Sequence, residues 1–312
     1  MLLSGLRIMF KNTESIFPDQ QAPEKLPSLW KRQIQADLKW ILESPPLFDG
    51  PDGLDELTKN KVEAQDLISS LDSTMASAPP RRVGLYFESL LDTWLARILK
   101  LVMDARHLQV FDSGRTIGEI DFSVRDHQGI RWRFESTIKF YLHHPITKLI
   151  HGSSFIGPDP RDSFERKYRH LMARQLPLPV PESAPADHAL PISRGILFYH
   201  INDLHNPGRP NKANPKHLRG LWLKASEWAC LKGKSLRVDR VVHLPKPFWM
   251  SGLFNPGLTS QELTLPDAEK FITSHFEEST APLMMSLRQS LNEIQGEKWR
   301  CIIVPDTWPN FV

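Results

Sequence analysis

Three acidic side chains lie on two neighbouring segments in which polar and apolar residues alternate, the pattern of half-buried β-strands. Glu119 and Asp121 belong to Thr116–Val124, and Glu135 belongs to Ile130–Leu142. A hairpin joining these strands would place Asp121 and Glu135 side by side on one face. Two close carboxylates repel each other, and each resists ionisation unless a cation lies between them. Because hard oxygen ligands favour Mg²⁺ or Mn²⁺, the spacing predicts a divalent metal site, with Glu119 as an additional candidate ligand.

A lysine and a helical glutamate are predicted to complete this site. Lys139 shares the polar face of the second strand, where an ammonium suits the charge that develops on phosphate oxygens. Glu88 lies at the border of the apolar stripe of an amphipathic helix over 83–103, so its carboxylate can reach a sheet packed beneath. Two alternatives stay open: Glu88 is a solvated boundary residue, or the strand acids form ion pairs with Arg131 or Arg133.

Composition and missing motifs exclude several other kinds of site. The chain has 312 residues, a formal net charge of +3 and two cysteines, Cys230 and Cys301, far apart in sequence. That spacing excludes a zinc ribbon, a CxxC redox site and a disulfide-stapled scaffold. Gly233–Ser235 resembles the end of a phosphate loop, but Trp228 stands where glycine is required, so no nucleotide cofactor is predicted. No segment has the roughly 18 apolar residues of a membrane span, and we expect a soluble, cytoplasmic protein.

The order of elements predicts an α/β fold in which a mixed sheet is flanked by helices. An arm over 1–27 precedes these elements, and a proline-rich connector over 175–191 follows them. The predicted helices run from Trp30 to Pro45, over 83–103 and over 161–175. The predicted strands run over 107–111, 116–124 and 130–142. A buried strand over 195–201 should follow the connector.

The C-terminal third continues the alternation. It predicts a Trp-rich helix over 217–231, a strand over 238–244, a long helix over 266–294 and a strand over 300–304. We therefore expect three parts: an arm and helix over 1–80, a core over 81–205, and an α/β extension over 206–312 packed on that core.

Positive charge is concentrated in 194–250, where eleven lysines and arginines face three acids. Basic residues interleaved with aromatic platforms bind single-stranded or distorted nucleic acid. Aromatic residues interleaved with these cations are Trp222, Trp228, Phe248 and Trp249. Tryptophans at helical spacing are more often core residues than platforms. The better candidates for nucleic-acid binding are the loop cations Arg209, Lys212 and Lys216, because loops are exposed.

The charged helix over 161–175 offers a second basic surface. Arg166 and Lys167, with Arg169 and Arg174, could contact a phosphate backbone from this helix. The alternative is an ordinary solvated face, and the sequence favours neither.

The carboxylates, the lysine and the order of elements resemble the PD-(D/E)XK nuclease superfamily, whose core is a helix, a three-strand meander, a helix and a strand. More narrowly, the chain resembles the bacterial DUF1853 family. The matching segments are Gly84–Glu88, Arg115–Phe122, Phe134–Leu142 and Gly157–Leu178, with weaker matches at Gly195–Tyr199 and His217–Leu223. The resemblance implies a restriction-endonuclease-like core and a nuclease that requires Mg²⁺ or Mn²⁺.

The resemblance also implies roles for individual residues. Glu88 would be the helix acid, and Asp121 and Glu135 the two metal-binding acids of the strands. Lys139 would be the catalytic lysine, but the superfamily places that lysine two residues after the second acid, where this chain has Thr137. The departure leaves open a migrated lysine or a fold that binds without cleaving. Thr137 itself and Gln175, on the helix after the meander, are further candidates.

Three hypotheses follow. The first is a metal-dependent nuclease that hydrolyses DNA or RNA with metal-activated water. The second is a nuclease fold that binds nucleic acid without cleaving it. The third is a structural or interaction protein whose acids form ion pairs.

Overall fold

The computed structural model describes residues 26–58, 80–144, 151–179, 181, 184–203, 208–233, 236–252, 262–289 and 296–310. The predicted N-terminal arm lies almost wholly outside these residues. The described chain has the mixed α/β architecture that the sequence predicted, built around one ten-stranded sheet. None of its helices is long and apolar enough to cross a membrane.

The sheet combines a parallel centre with antiparallel flanks. Its strands are β1 (Val102–Asp112), β2 (Arg115–Arg125), β3 (Arg131–His143), β4 (Phe155–Ile156), β5 (His188–His200), β6 (Leu218–Lys224), β7 (Arg240–His243), β8 (Leu263–Thr264), β9 (Leu283–Gln289) and β10 (Gly296–Val304). Their order is β1-β2-β3-β5-β6-β10-β9-β7-β8, with β4 paired to β3. The pairs β3–β5, β5–β6 and β6–β10 are parallel.

Helices cover the sheet and contribute to the candidate site. They are α1 (Leu26–Glu43), α2 (Gly53–Thr58), α3 (Val83–Thr93), α4 (Phe164–His170), α5 (Cys230–Gly233) and α6 (Leu265–Glu278). Two of them continue into π-helical turns, α3 over Trp94–Ile98 and α4 over Leu171–Gln175. The chain after α3 turns sooner than the predicted helix end at 103, because Lys100 adopts a left-handed φ of 53° and β1 then begins.

The apolar stripe of α3 fixes this helix over the sheet. Phe87, Leu90, Leu91 and Trp94 are each at most 1% exposed, and they pack in the same core cluster as Phe122 of β2. Burial of large apolar side chains of this kind contributes roughly 1.5–3 kcal/mol each. The apolar stripe therefore holds α3 against the sheet, and Glu88 is half-buried beside that stripe.

The pairing of β2 with β3 ends abruptly, and this positions the site. β2 pairs with β1 along its whole length, but with β3 only over Phe122–Arg125 against Arg131–Phe134. The two strands separate immediately before Phe122. Asp121 on β2 and the residue after Phe134 on β3 therefore face the point where the ladder opens.

Two predicted elements of the C-terminal third were wrong. The predicted helix over 217–231 contains β6, whose Leu221, Trp222 and Leu223 are buried, because a short apolar run does not distinguish a buried strand from a helix. The predicted helix over 266–294 ends at Glu278, and β9 follows after Pro282. A proline lacks the N–H that a continuing helix would need.

The predicted connector over 175–191 was too long at its C-terminal end. β5 begins at His188 and includes Pro191, which pairs with β3 opposite Glu135. β5 pairs with β6 only from Ile196 onward, so the missing N–H of Pro191 falls where the β6 side of β5 is unpaired. The pairing of β5 with β6 also carries the sheet across the predicted boundary between 205 and 206.

Candidate carboxylate site

The side chain of Asp121 bonds to β3 just beyond the point where the backbone pairing of β2 with β3 ends. Its Oδ2 accepts hydrogen bonds from the backbone N of Ser136 at 2.7 Å and from the Ser136 Oγ at 2.9 Å. A carboxylate bound by two donors is fixed in orientation. The side chain is partly exposed, so it remains accessible to a ligand. Sequence reasoning missed Ser136, whose role depends on where the ladder stops.

Glu135 lies beside Asp121 and is fully buried, at 0% exposure. The register pairs Phe122 with Phe134, so the next position on each strand brings these two acids opposite each other, as the predicted hairpin required. Burial, reinforced by the charge of Asp121, raises the pKa of Glu135 to about 8. Its Oε1 has no hydrogen-bond partner among the described residues.

Glu88 and Asp121 belong to the same electrostatic cluster. Burial raises the pKa of Glu88, and the charge of Asp121 raises it further. Burial also raises the pKa of Asp121, although its hydrogen bonds from Ser136 oppose that effect. Glu88 of α3 thus shares the electrostatic environment of the strand acids, as the sequence predicted. A concentration of acids that resist ionisation is typical of functional sites.

The neighbouring arginines do not form the ion pairs that the sequence left as an alternative. Arg131 is bound to Asp187, with Nη2 donating to Oδ1 at 2.9 Å. Arg133 is 1% exposed, and its Nη1 donates to the backbone O of Leu178 at 2.9 Å. Its Nη2 contacts the carbonyls of Gln175 and Leu176. Arg133 therefore anchors the end of the α4 segment beside Glu135 without neutralising it through a salt bridge.

The α4 segment supplies the polar contacts of Glu135. Gln175 Nε2 donates to Glu135 Oε2 at 3.2 Å, and Lys167 Nζ donates to Gln175 Oε1 at 3.0 Å. The charge of Lys167 lowers the pKa values of Asp121 and Glu135. Burial in turn lowers the pKa of Lys167. Lys167, which the sequence placed among phosphate contacts, is thus the lysine that acts on both strand acids.

Lys139 is engaged elsewhere. Its Nζ donates to Asp162 Oδ2 at 2.6 Å, and Tyr141 donates its hydroxyl to Asp162 Oδ1 at 3.3 Å. The side chains of Lys139 and Asp162 are about one third exposed, at 31% and 32%. The pairing of Lys139 with Asp162 could not be predicted from the strand pattern, because Asp162 belongs to a loop more than twenty residues away.

The two additional strand candidates differ in their surroundings. Thr137, at the position where the superfamily pattern has lysine, is buried at 6% exposure. Glu119 is about half exposed, and its Oε1 lies 3.3 Å from His107 Nδ1 on β1. Neither residue is hydrogen-bonded to Asp121 or Glu135.

The donor set fits a hard divalent cation held by few protein ligands. Among the residues that the structure describes, no three His, Cys, Asp or Glu side chains are grouped closely enough to enclose a metal ion. Mg²⁺ is commonly held by only one or two carboxylates and keeps several waters. Asp121 and the unpartnered Oε1 of Glu135 meet that requirement with oxygen ligands, the type that Mg²⁺ and Mn²⁺ prefer.

The predicted nucleic-acid contacts fall into two groups. Trp222, Trp228, Phe248 and Trp249 are at most 4% exposed and belong to the core, which confirms the alternative to aromatic platforms. Lys212 and Lys216 are exposed, and Arg209 donates to the backbone O of Ala213 at 2.6 Å. Arg166 is exposed on α4 and donates to the backbone O of Arg161 at 2.9 Å.

Comparison with known proteins yields one match. The model of a family described as a domain of unknown function, DUF1853, matches residues 36–304. No curated protein and no solved structure matches the chain. The matched range includes every residue of the carboxylate site.

Proposed function

Because this chain belongs to the DUF1853 family, its function has to be inferred from its site, and we propose that it hydrolyses phosphodiester bonds of nucleic acid with Mg²⁺ or Mn²⁺. The proposal includes a PD-(D/E)XK-like core formed by α3, the β1–β2–β3 meander, α4 and β5. The order of these elements and the positions of Glu88, Asp121 and Glu135 on them support it.

The observation that carries the proposal is the state of Glu135. This carboxyl group is buried, has one oxygen without a partner, and has a pKa near 8 beside a second carboxylate. A purely structural glutamate would be expected to have its buried oxygens satisfied. A divalent cation would satisfy the free oxygen and would reverse the repulsion from Asp121.

The residues of the chain have separate roles in this proposal. A bound Mg²⁺ or Mn²⁺ would supply an activated water at neutral pH and polarise the phosphoryl group. Asp121, oriented by Ser136, and Glu135, oriented by Gln175, hold the cation. Lys167 places its positive charge beside both acids, where negative charge builds up on the phosphate in the transition state. Glu88 lies close enough for the charge of Asp121 to raise its pKa, in addition to the larger effect of burial.

Binding of Mn²⁺ tests this site before any substrate is identified. Isothermal calorimetry at pH 7 should show binding accompanied by release of about one proton, because Glu135 must ionise to coordinate the cation. Glu135→Gln should lose the proton release, and Asp121→Asn should bind at least 10-fold more weakly. Asparagine can still accept from Ser136, so this variant keeps the fold.

Asp112→Asn provides the matched control, since Asp112 lies at the exposed end of β1. It should bind Mn²⁺ like the unmodified chain. Equal affinities for the unmodified protein and the Asp121 and Glu135 variants would refute the metal site. Hydrolysis of nucleic acid that survives Asp121→Asn in clean preparations would refute the assignment of the reaction to this site.

A specific observation favours a second candidate function, binding without cleavage. Lys139, the lysine on the strand of Glu135, is bound by Asp162 and does not contact the acids. If Lys167 does not replace it, the fold would hold the metal and nucleic acid without hydrolysing the bond. Salt-dependent binding that Asp121→Asn leaves unchanged, with no cleavage in Mg²⁺ or Mn²⁺, would distinguish this function.

A further inference from the structure

A concave, positively charged groove lies on the side of α4 next to the one that contacts the carboxylates. It has a volume of about 400 Å³, and the residues that give it charge are Arg166, Arg169, His170, Arg174 and Glu165. We call it the α4 groove. Three arginines against one acid make the groove a site for anions.

Most of the positive charge in the α4 groove is not neutralised. Glu165 is already paired with Arg169, with Oε1 accepting from Nε at 2.7 Å. Arg166 donates to a neutral backbone carbonyl. The side chains of Arg174 and His170 make no hydrogen bond or ion pair within the part of the chain that the structure describes. Burial and the charges of Lys167, Arg174 and Arg166 lower the pKa of His170, which reports an excess of positive charge.

We propose that the α4 groove binds the sugar–phosphate backbone of the nucleic acid whose phosphodiester lies at the carboxylate site. This inference rests on the proposed function, and it extends the substrate contacts to a second face of the same helix.

The spacing of the cations suits a backbone. Arg166, His170 and Arg174 follow one another at four-residue intervals, so they form a row of roughly 10–12 Å along the segment. One strand of a duplex presents a phosphate for about every 3.4 Å of axis. The row can therefore contact two or three phosphates of one strand.

A neighbouring row on the same helix leads to the reaction site. Lys167 and Gln175 each stand one position after a residue of the groove row. Gln175 donates to Glu135, and Lys167 donates to Gln175. The groove and the carboxylates are thus two adjacent sides of one helical segment. A chain that is cleaved at the carboxylates would continue across the groove.

The charged side chains of the groove suit phosphates better than stacked bases. Phe, Tyr and Trp, the larger stacking platforms, do not occur in its lining, and the tryptophans of the basic C-terminal region are buried in the core. Contacts to phosphate alone position the substrate and carry no sequence information. Binding through the groove should therefore be independent of sequence and strongly dependent on salt.

The salt dependence of binding tests the proposal. Fluorescence anisotropy measures binding of a short labelled DNA duplex, in EDTA so that no cleavage occurs. The logarithm of the association constant is then plotted against the logarithm of the salt concentration. The double variant Arg166→Ala/Arg174→Ala should bind more weakly, with a slope smaller by about 1.8, at roughly 0.9 per lost phosphate contact. Lys270→Ala/Lys298→Ala removes the same charge from α6 and β10, and its slope should match that of the unmodified protein.

The His170 ring gives a second readout that a general loss of charge would not reproduce. Its proton NMR signal, assigned with His170→Gln, should titrate at a higher pKa when the duplex is bound, because an anion offsets the surrounding cations. The same shift with low-millimolar inorganic phosphate alone would show a site for free anions and would overturn the backbone assignment.

The outcomes separate this inference from the proposed function. Cleavage by the protein combined with an unchanged salt slope in the groove variant would overturn the groove and leave the function standing. Failure of the unmodified protein to bind the duplex at low salt would also overturn the groove. The predicted slope change without any cleavage would support the groove and count against hydrolysis.

Discussion

The free energy of unfolding should depend on pH through Glu135, and Glu135→Gln isolates that dependence. The folded pKa is about 8 against an ordinary value of 4.5. A raised carboxyl pKa means that the folded state binds the proton more tightly, so stability is greatest below pH 4.5 and declines as the pH rises to 8. At about 1.4 kcal/mol per unit, the loss between pH 5 and pH 8 is on the order of 3 kcal/mol.

The measurement is thermal unfolding at pH 5 to 9 in EDTA. For a chain of this size, a loss of that order corresponds to a fall in Tm of roughly 5 °C. Glu135→Gln should have a flatter profile over the same interval. The amide group of the glutamine would lie where Oε1 of Glu135 has no hydrogen-bond partner. This lowers the free energy of unfolding by about 1–3 kcal/mol at every pH. The slope of the profile is therefore diagnostic, and the absolute Tm is not.

Glu278→Gln is the matched control, because Glu278 lies at the exposed C-terminal end of α6. Its pH profile should run parallel to that of the unmodified protein. Parallel profiles for the unmodified protein and Glu135→Gln would refute the reasoning, since they would show that Glu135 ionises in the folded state much as it does in the unfolded chain. Addition of Mn²⁺ at pH 8 should raise the Tm of the unmodified protein and of Glu278→Gln, and should leave the Tm of Glu135→Gln unchanged.

Two further predictions concern other residues. Lys167→Met should reduce the rate of hydrolysis by about 10²-fold or more, as removal of a charge-stabilising group does in other active sites, and Lys139→Met should reduce it less. Steady-state rates on one substrate compare the two variants. A larger effect at Lys139 would contradict the assignment of this role to Lys167. Gly195→Ala should prevent folding, because a Cβ there would lie 1.9 Å from the backbone O of Lys139. Gly84 lies on α3 with open space around it, so Gly84→Ala should raise the free energy of unfolding by about 0.5–1 kcal/mol. Urea unfolding measures both variants.

The core of the site could be predicted from sequence because its determinants are local. Alternation on Thr116–Val124 and Ile130–Leu142 defines both strands and their faces, and a short turn leaves one register for the hairpin. Asp121 and Glu135 follow from that register. The helical position of Glu88 follows from the apolar stripe around it.

The partners of the lysines could not be predicted in the same way. Lys139 was assigned to the acids by its strand face, but a long flexible side chain pairs with the nearest available charge, and Asp162 comes from a separate loop. The inward direction of Lys167 depends on how α4 packs. One signal was available: Lys167, Leu171 and Gln175 share a helical face, and Leu171 is an apolar residue that such a face would bury.

The position of β10 has a consequence for assembly. This strand follows the other nine along the chain, yet it lies between β6 and β9. A nascent polypeptide can form the half of the sheet that bears the acids, but β7, β8 and β9 have no attachment to that half through the sheet until β10 has been synthesised. Ribosome-bound intermediates should therefore expose the β6 edge, and a chain shortened before residue 296 should keep a separated, aggregation-prone C-terminal segment.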